Sequence, residues 1–475
     1  MQHMRPYVPI ILLALVISTA SAQGSSGGLF YITHVTVIDT VAGREMRDRT
    51  VIISDDRIAD IVSSRHSEPL SGARVVDGTG KYLIPGLWDM HVHGNNQPWF
   101  ASVFPLYLAN GVTGVREMFG PPDANQFRAE LASMHTPAPH VYLASPIVDG
   151  HPKVWPNSVE VNSPDEAREF VRDQRRKGAD FIKVYSRLKP KEYLAIVDES
   201  RKQHLPVAGH VPNQVSAWEA VSAKQTSFEH LYGIAVACST REAELFAKIG
   251  ESKSSQERAG FVLEAYRSYT EKKCRNLFSA MKRNGSWGVP TLSVYRAFAS
   301  LTDPQFKNDP RLRFYHGDLL GWLTGKGDTR LANWTPEDRA REEETFESVK
   351  KMTGVMFRAG VPLLAGTDCG NPYTLPGFGL HDELVLLVDS GLTPLAALQA
   401  ATVNAAVFMR ARDKYGSVAR GKIADLVLLD ADPLADIHNT ARISAVFLGG
   451  REFDRAALDQ LLQQAERSAP ADPSL

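Results

Sequence analysis

The sequence predicts an α/β protein: a (β/α)8 barrel with a composite β-sandwich domain formed by both chain ends. Two patterns support this fold class. In the middle of the chain, apolar strand-like runs alternate with helical segments, and eight such runs match the strand number of the barrel. Near both ends, strand-like runs are separated only by turns. The barrel is predicted over residues 85–409, the composite domain over 23–84 and 410–456, and a C-terminal tail over 457–475.

The composition limits the kinds of partner. The 475 residues are 43% hydrophobic and include 53 basic and 54 acidic side chains. A net charge close to zero, without a block of Lys or Arg residues, argues against nucleic acid or an anionic membrane surface as the main partner. We therefore expect neither as a partner, and the large surface of a barrel is compatible with a homo-oligomer.

The first 22 residues are predicted to be a signal peptide. Arg5 precedes an apolar run over residues 8–17, and Ala20-Ser21-Ala22 has the small residues of a cleavage site. The run is too short for a permanent membrane anchor. We therefore expect an exported mature protein, periplasmic or secreted, that has no membrane attachment.

Strand-like runs at the two ends are expected to pair in one sheet. They lie at Phe30 to Asp39, Thr50 to Ser54, Arg57 to Val62, Ala73 to Asp77, Gly421 to Asp430 and Ile443 to Gly449.

The predicted barrel strands follow in order along the middle of the chain. They are Leu87 to His93, Thr113 to Met118, His140 to Ala144, Phe181 to Tyr185, Val207 to His210, Ser227 to Leu231, Val289 to Val294 and Val361 to Gly366. Helices are predicted at Pro164 to Lys177, with Ser163 as N-cap, and at Pro190 to His204. A long charged and aromatic insert, 295–359, separates the last two strands and is of the length typical of lids or binding elements.

The first barrel strand carries a potential pair of metal ligands. His91 and His93 are two residues apart, so in a strand both side chains point to the same face. A lone His-x-His is more often an ordinary pair on a solvated strand. The interpretation as metal ligands therefore depends on what the other strands carry.

Four further strands end in polar side chains that could join this pair. They are Lys183, His210, His230 and Asp368. Each has an ordinary explanation alone: a core histidine, a lysine reaching solvent from an edge, or a turn carboxylate. Because the C-terminal ends of barrel strands converge on one site, the whole set favours a shared centre.

The three cysteines do not define a disulfide. Cys238 and Cys274 lie in one region of the sequence, but their spacing alone does not establish a bond. Cys369 is more typical of a small buried residue than of a nucleophile.

With these motifs in place, the sequence resembles the amidohydrolase superfamily of metal-dependent hydrolases over nearly the whole mature chain. It is most similar to the binuclear branch with imidazolonepropionase-like amidohydrolases, Xaa-Pro dipeptidases and ochratoxin-degrading carboxypeptidases. The motifs are Pro85-Gly-Leu-Trp-Asp-Met-His91-Val-His93-Gly94, Ile182-Lys183-Val184, Gly209-His210, Glu229-His230, Gly366-Thr-Asp368, residues 392–402 with Asn404-Ala-Ala406, and Gly421-Lys-Ile-Ala-Asp425-Leu426.

The resemblance implies a TIM-like barrel that holds two divalent metal ions. His91, His93 and Asp368 would hold one ion, His210 and His230 the other, and N6-carboxylated Lys183 would bridge them. An ammonium group cannot ligate a cation, whereas a carbamate offers two oxygens. Imidazole and carboxylate ligands favour Zn2+, with Mn2+ and Co2+ left open.

The implied reaction is hydrolysis by a metal-bridging hydroxide. Asp368 would carry the proton from this hydroxide to the leaving nitrogen. His151, in a loop after the third strand, is a candidate for contact with the substrate or the oxyanion, and Tyr185 is a candidate hydrogen-bond donor. For each, a structural role is the alternative, and Arg116 and His381 have no assigned role.

The sequence thus predicts an exported amidohydrolase that cleaves a C–N bond in a small molecule such as a dipeptide or an N-acyl amino acid, and not a deaminase. A lactone or phosphotriester hydrolase would use the same activated water. A metal-binding protein without catalysis is the alternative from another class.

Overall fold

The computed structural model describes residues 28–94, 99–134, 136–326, 328, 330–331 and 334–467. The predicted signal peptide, 1–22, lies outside these ranges. Within them, no helix combines the length and the apolar character needed to cross a bilayer.

The strands are β1 (Phe30–Asp39), β2 (Arg44–Ser54), β3 (Arg57–Ser63), β4 (Arg74–Asp77), β5 (Tyr82–Pro85), β6 (Leu87–Val92), β7 (Val112–Glu117), β8 (His140–Leu143), β9 (Val148–Asp149), β10 (Val159–Glu160), β11 (Ile182–Val184), β12 (Val207–Gly209), β13 (Ser227–Glu229), β14 (Trp287–Val289), β15 (Leu426–Leu429), β16 (Ile443–Leu448) and β17 (Arg451–Asp454). The helices are α1 (Phe104–Ala109), α2 (Ala124–Ser133), α3 (Pro164–Arg176), α4 (Pro190–Lys202), α5 (Ala217–Ser222), α6 (Ile234–Cys238), α7 (Glu242–Glu251), α8 (Ser255–Ser268), α9 (Glu271–Asn284), α10 (Leu292–Ala299), α11 (Pro304–Lys307), α12 (Gly317–Leu323), α13 (Pro336–Arg358), α14 (Gly379–Asp389), α15 (Pro394–Ala400), α16 (Val403–Phe408) and α17 (Arg455–Arg467).

One mixed sheet contains strands from both ends of the chain. Its order is β17-β16-β15-β5-β1-β2-β3, with β4 beside β1. β5 joins the two ends, because it pairs parallel with β1 and antiparallel with β15. Ile32, Val51, Leu83, Leu428 and Phe447 are buried in one apolar cluster of this sheet. The two layers of a sandwich and the domain boundaries stay predictions.

The middle of the chain forms two parallel sheets. One has the order β6-β7-β8 and the other β10-β9-β11-β12-β13-β14. A parallel bridge between Ala144 and Phe181 connects them. Parallel strands joined by helices are the pattern that the sequence predicted, so the α/β class is confirmed.

The predicted seventh strand, Val289 to Val294, is wrong except at its first residue. β14 ends at Val289, and α10 begins at Leu292, where the sequence predicted strand up to Val294. Pro290 has no amide hydrogen to donate to a neighbouring strand. Thr291 then adopts a left-handed conformation with φ of 50°. Together these two residues turn the chain from strand into helix.

The predicted eighth strand, Val361 to Gly366, is not a regular strand. A single parallel bridge joins Leu363 to Gly288. Further along, the Asp368 amide donates to the His91 carbonyl at 2.8 Å, while the Thr367 amide donates to a carboxylate, Asp89, at 3.0 Å. The backbone of this segment therefore pairs with both neighbouring strands, β14 and β6. The Asp89 side chain takes the place of one of the backbone acceptors that a regular strand would have.

Two groups of helices follow parallel strands along the chain. The first is α6 to α9, between β13 and β14, and the disulfide between Cys238 and Cys274 links α6 to α9. The second is α10 to α13. It covers most of the predicted insert 295–359 and begins before it, inside the predicted seventh strand. The disulfide, which the spacing left open, is formed in this structure.

Capping residues and the C-terminus complete the helices. The Ser163 hydroxyl accepts a hydrogen bond from the Glu166 amide, which confirms the predicted N-cap of α3. The described part of the predicted tail is largely helical, since α17 buries Leu458 and Leu461. Burying an apolar stripe of this kind stabilises a helix that would be marginal alone.

Candidate metal centre

Three predicted ligands form a compact group at the ends of β6 and of the eighth segment. His91, His230 and Asp368 each offer a ligand atom, and these atoms all lie within 4.8 Å of one another. His93 joins them, because its Nε2 atom lies 3.0 Å from Asp368 Oδ1 and 3.3 Å from His91 Nε2. The structure thus brings residues from three separate parts of the sequence to one point.

His210 lies next to this group. Its ring centroid is 4.9 Å from that of His230, and the ring of His230 is 4.9 Å from that of His91. Each ring has an anchor: His210 Nδ1 lies 2.7 Å from Ser186 Oγ, and His230 Nδ1 lies 2.7 Å from Thr291 Oγ1. Hydrogen bonds of this kind leave the other ring nitrogen in a fixed direction, as metal ligation requires.

Burial keeps these imidazoles neutral. It lowers the pKa of His91 and of His210 well below the ordinary value, and that of His230 to about 4. A neutral imidazole has a lone pair available, whereas an imidazolium ion has none. The three rings are therefore in the protonation state that binds a cation.

Lys183 is the most unusual side chain of the group. It is fully buried on β11, and its Nζ atom has no hydrogen-bond partner among the described residues. Burial lowers the pKa of Lys183 to about 8. Its Nζ atom lies 5.9 Å from the centroid of the Tyr185 ring, which stacks on His210. A buried lysine without a partner is rare and indicates a functional role.

The residues of this group fit a site for divalent cations. Imidazole nitrogens and a carboxylate are the donors that Zn2+ and related ions bind. Without a cation, Lys183 Nζ and His93 Nδ1 are buried polar atoms that lack hydrogen-bond partners among the described residues. Such atoms are costly unless something binds them.

Glu229 supports the first ligand, a role that the sequence analysis did not assign. Its Oε2 atom lies 2.7 Å from His91 Nδ1. Arg116 holds the same carboxylate, with Nη2 donating to Oε1 at 3.0 Å and to Oε2 at 2.9 Å. The signal in the sequence was a Glu within a strand whose neighbours are buried, because such a carboxylate needs a partner. Arg116 is therefore bound to Glu229 and does not face the substrate.

Asp89 supports the same strand end from the other side. Its carboxylate accepts hydrogen bonds from the amides of His91 and Thr367, at 3.2 and 3.0 Å, and from Thr367 Oγ1 at 2.7 Å. Gly366 comes close to this strand, since a Cβ atom there would lie 2.9 Å from the His91 nitrogen. The motif Gly366-Thr-Asp368 is thereby fixed against β6.

Two of the ligand residues have unusual backbone conformations. His230 has φ of 58° and Asp368 has φ of 59°. Left-handed conformations of residues other than Gly are strained, and they occur often at functional sites. Here they turn the side chains inwards directly after the ends of strands.

Tyr185 lies at the site, whereas His151 lies further out on the cavity wall. The Tyr185 ring stacks on His210 with centroids 4.0 Å apart, and its hydroxyl accepts a hydrogen bond from Trp155 Nε1 at 2.8 Å. The His151 side chain is 69% exposed and pairs with Glu160 at 2.9 Å. The structure therefore brings Tyr185 into contact with a ligand residue, while a catalytic role for His151 stays a prediction.

The remaining residues without an assigned role are structural. His381 is buried in α14, where its ring nitrogens lie 3.0 Å from Thr440 Oγ1 and from the Asn110 carbonyl oxygen. Cys369 is buried, with its sulfur 2.9 Å from the Tyr107 hydroxyl. The interpretation of Cys369 as a small buried residue is confirmed.

A large cavity opens directly from the candidate metal centre. Its volume is about 1390 Å3, and His93, His210, His230 and Asp368 form part of its wall. Helices α7, α8, α10, α12 and α13 supply most of the opposite walls. A cavity of this size accommodates a small organic molecule with room to spare.

Comparison with known proteins finds similarity to amidohydrolases. Residues 329–453 match the model of the amidohydrolase family. Ochratoxinase of Aspergillus niger is 24% identical over 476 residues, covering 86% of this chain and 84% of the relative. The structure of bottromycin amidohydrolase is 25% identical, with a TM-score of 0.73 over 92% of this chain and 90% of that chain. A Xaa-Pro dipeptidase structure is 19% identical, with a TM-score of 0.65 over 90% of this chain and 100% of that chain.

Proposed function

Since the chain belongs to the amidohydrolase superfamily, we propose that it hydrolyses an amide C–N bond of a small molecule, with dipeptides and N-acyl amino acids as the leading substrate class. The observation that carries this proposal is the convergence of His91, His93, His210, His230 and Asp368 beside a large cavity, with the buried amine of Lys183 near Tyr185. Ochratoxinase and bottromycin amidohydrolase, the proteins to which the chain is similar, support the bond type.

The fold that accompanies this function is a (β/α)8 barrel with a composite β-sandwich. The proposed barrel consists of β6, β7, β8, β11, β12, β13, β14 and the segment before Asp368. Bridges between Gly288 and Leu363 and between Val92 and Cys369, which connect that segment to β14 and β6, support the proposal.

Two divalent cations are the proposed cofactors, with Zn2+ preferred for an imidazole and carboxylate donor set. His91, His93 and Asp368 would hold one cation, and His210 and His230 the other. Lys183 would bridge them as a carbamate, which forms when the neutral Nζ amine adds to CO2 and releases one proton. A carbamate supplies two oxygen ligands, whereas an ammonium group supplies none.

The side chains of the chain divide the work of hydrolysis. The chemistry that divalent cations would supply at this position is polarisation of the scissile carbonyl and acidification of the attacking water. The Asp368 carboxylate accepts the proton of this water and passes it to the leaving nitrogen. Burial acts to raise the pKa of the Asp368 carboxyl, whereas bound dications would lower it and would dominate. Asp368 is therefore ionised and able to act as the base.

Export is part of the proposal. The signal-like sequence before residue 23 supports it, and so does the disulfide between Cys238 and Cys274, because disulfides persist mainly in oxidising compartments.

Metal analysis combined with a substrate panel tests the function. We expect about two metal ions per chain, by mass spectrometry, and hydrolysis of a Xaa-Pro dipeptide or an N-acyl amino acid. Asp368→Asn is expected to lower kcat by about 100-fold or more, with a much smaller change in KM, because it removes the proton carrier. Asp198→Asn, an exposed carboxylate on α4, is the matched control.

Three outcomes would overturn parts of this proposal. Turnover of lactones or phosphotriesters but of no amide would identify a different hydrolase. Bound metal without turnover of any substrate would identify a metal-binding protein. Full activity and metal content in Lys183→Ala would refute the bridging carbamate.

A further inference from the structure

Two opposite charges without partners face the cavity from different helices. Arg258 lies on α8 and Glu342 on α13, both half-buried in the cavity wall. In the described part of the chain, neither side chain takes part in an ion pair or a side-chain hydrogen bond. A partly buried charge without a partner loses hydration and gains nothing in return. Such a charge in a cavity wall is therefore suited to a charged ligand.

The same two helices show what a paired arrangement looks like. Elsewhere on these helices, the Nε atom of Arg267 on α8 donates a hydrogen bond to Glu344 on α13 at 2.7 Å. This pair is exposed and does not line the cavity. The helices are thus close enough for ion pairs, and Arg258 and Glu342 remain apart on the cavity side.

Two other half-buried basic side chains of the cavity wall are already paired within the protein. Arg330 forms a two-pronged pair with Asp328, at 2.9 and 2.6 Å. The Arg341 guanidinium contacts the Asp338 carboxylate. The exposed side chains of Arg187, Lys189, Lys253 and Asp318 also line the cavity, so among the described residues Arg258 and Glu342 are the half-buried charges of the wall that lack an ion pair.

Tyr232 relates both charges to that centre. Its ring centroid lies 4.7 Å from that of His210 and 5.1 Å from that of His230. Tyr232 lines the same cavity as Arg258 and Glu342. Both charges therefore face the cavity into which the candidate ligand histidines also open.

We propose that Arg258 and Glu342 bind the two charged ends of a zwitterionic substrate, so that the cavity selects unblocked dipeptides over N-acyl amino acids. Arg258 receives the carboxylate and Glu342 the ammonium group, with the amide between them beside Tyr232 and the ligand histidines. A guanidinium suits a carboxylate because its planar donors can bond both oxygens. This inference rests on the proposed amide hydrolysis and names the substrate class.

Three matched substrates distinguish the proposed role of Arg258 from that of Glu342. They are L-alanyl-L-phenylalanine, its N-acetyl derivative and its C-terminal amide. Arg258→Gln is expected to raise KM about 10- to 100-fold for the first two, since a hydrogen bond to a charged group is worth about 1.5–3 kcal/mol, and to leave the amide unaffected. Glu342→Gln is expected to weaken only the two substrates that have a free ammonium group. Arg258→Lys should restore part of the carboxylate preference.

Arg267→Gln and Glu344→Gln are the controls, because they change the same helices outside the cavity. Equal effects of Arg258→Gln on the acid and on its amide, or of Glu342→Gln on free and acetylated substrates, would overturn the inference while amide hydrolysis still stands.

Calorimetry keeps the inference testable if wild type cleaves none of the three substrates. Alanyl-phenylalanine binding to the metal-loaded protein should then be at least about tenfold tighter than N-acetyl or amide binding, and each variant should remove the corresponding preference. Absence of binding, or equal affinity for all three compounds, would refute the charge pair. Absence of hydrolysis alone would refute only the proposed function.

Discussion

Glu229 shows how one buried carboxylate can determine the properties of a ligand. It accepts two hydrogen bonds from Arg116 and lies 2.7 Å from His91 Nδ1. The guanidinium fixes the carboxylate, and the carboxylate in turn directs Nε2 of His91 towards Asp368, 3.4 Å away. Partners of this type raise the basicity of a ligand histidine and fix its orientation.

Glu229→Gln should therefore weaken metal binding without removing a ligand. The neutral amide retains the shape of Glu229 but loses the charge that compensates Arg116, so we expect metal affinity to fall about 10- to 100-fold. Competition with a chromophoric chelator measures this change. Glu219→Gln, in the capping box of α5, is the control. Unchanged affinity in Glu229→Gln would show that His91 needs no such support.

At the scale of elements, the junction between β14 and α10 depends on a side chain from another helix. Pro290 and Thr291 end the strand, and the first amides of α10 then need acceptors. Glu383 of α14 supplies them: it accepts from the Leu292 amide at 3.0 Å and from the Ser293 amide at 2.7 Å. Glu383 thereby fixes the position of Thr291, whose hydroxyl contacts His230.

The ionisation of Glu383 predicts a pH dependence of stability. Burial raises its pKa to about 7, above the value of 4.5 that applies to an exposed glutamate. Between these values the native state holds a proton that the unfolded chain releases. The contribution of Glu383 to the free energy of unfolding is therefore complete below pH 4.5 and decreases as the pH rises to about 7, by up to about 1.4 kcal/mol per pH unit.

Glu383→Gln should flatten this dependence, because the neutral amide does not titrate. Urea unfolding between pH 5 and 7 measures the difference between the variant and wild type. Glu347→Gln, on the exposed face of α13, controls for the change in net charge. Parallel stability curves for Glu383→Gln and wild type would contradict the assigned pKa.

At the scale of the whole molecule, the candidate metal centre connects parts of the chain that are far apart in sequence. His91 and His93 follow β6, Lys183 lies on β11, His210 and His230 follow β12 and β13, and Asp368 follows the irregular eighth segment. An ion that binds only this assembled set stabilises the native state by mass action.

Removal of metal should consequently lower the melting temperature of the whole molecule. Dialysis against a strong chelator is expected to reduce Tm by several degrees, and stoichiometric Zn2+ should restore it, because free metal at about 1,000 times Kd contributes about 4 kcal/mol. Differential scanning calorimetry measures the shift. In Asp368→Asn the chelator should have a smaller effect. Equal Tm values before and after proven metal loss would contradict this coupling.

The sequence by itself determined the types of the proposed ligands and their order along the chain. Strand periodicity placed His91 and His93 on one face, and the ends of the following strands supplied Lys183, His210 and His230. These features are local, because side-chain direction and strand end follow from a few neighbouring residues. The α/β class was predictable for the same reason.

Only the tertiary structure decided which distant groups meet. Local sequence patterns do not show that Cys238 bonds to Cys274 or that Arg116 donates to Glu229. Nor do they show that Arg258 and Glu342 line one cavity. The eighth segment departs from a regular strand because Asp89, from another strand, takes one of its amides. Contacts across such distances arise from packing, and no periodicity in the sequence encodes them.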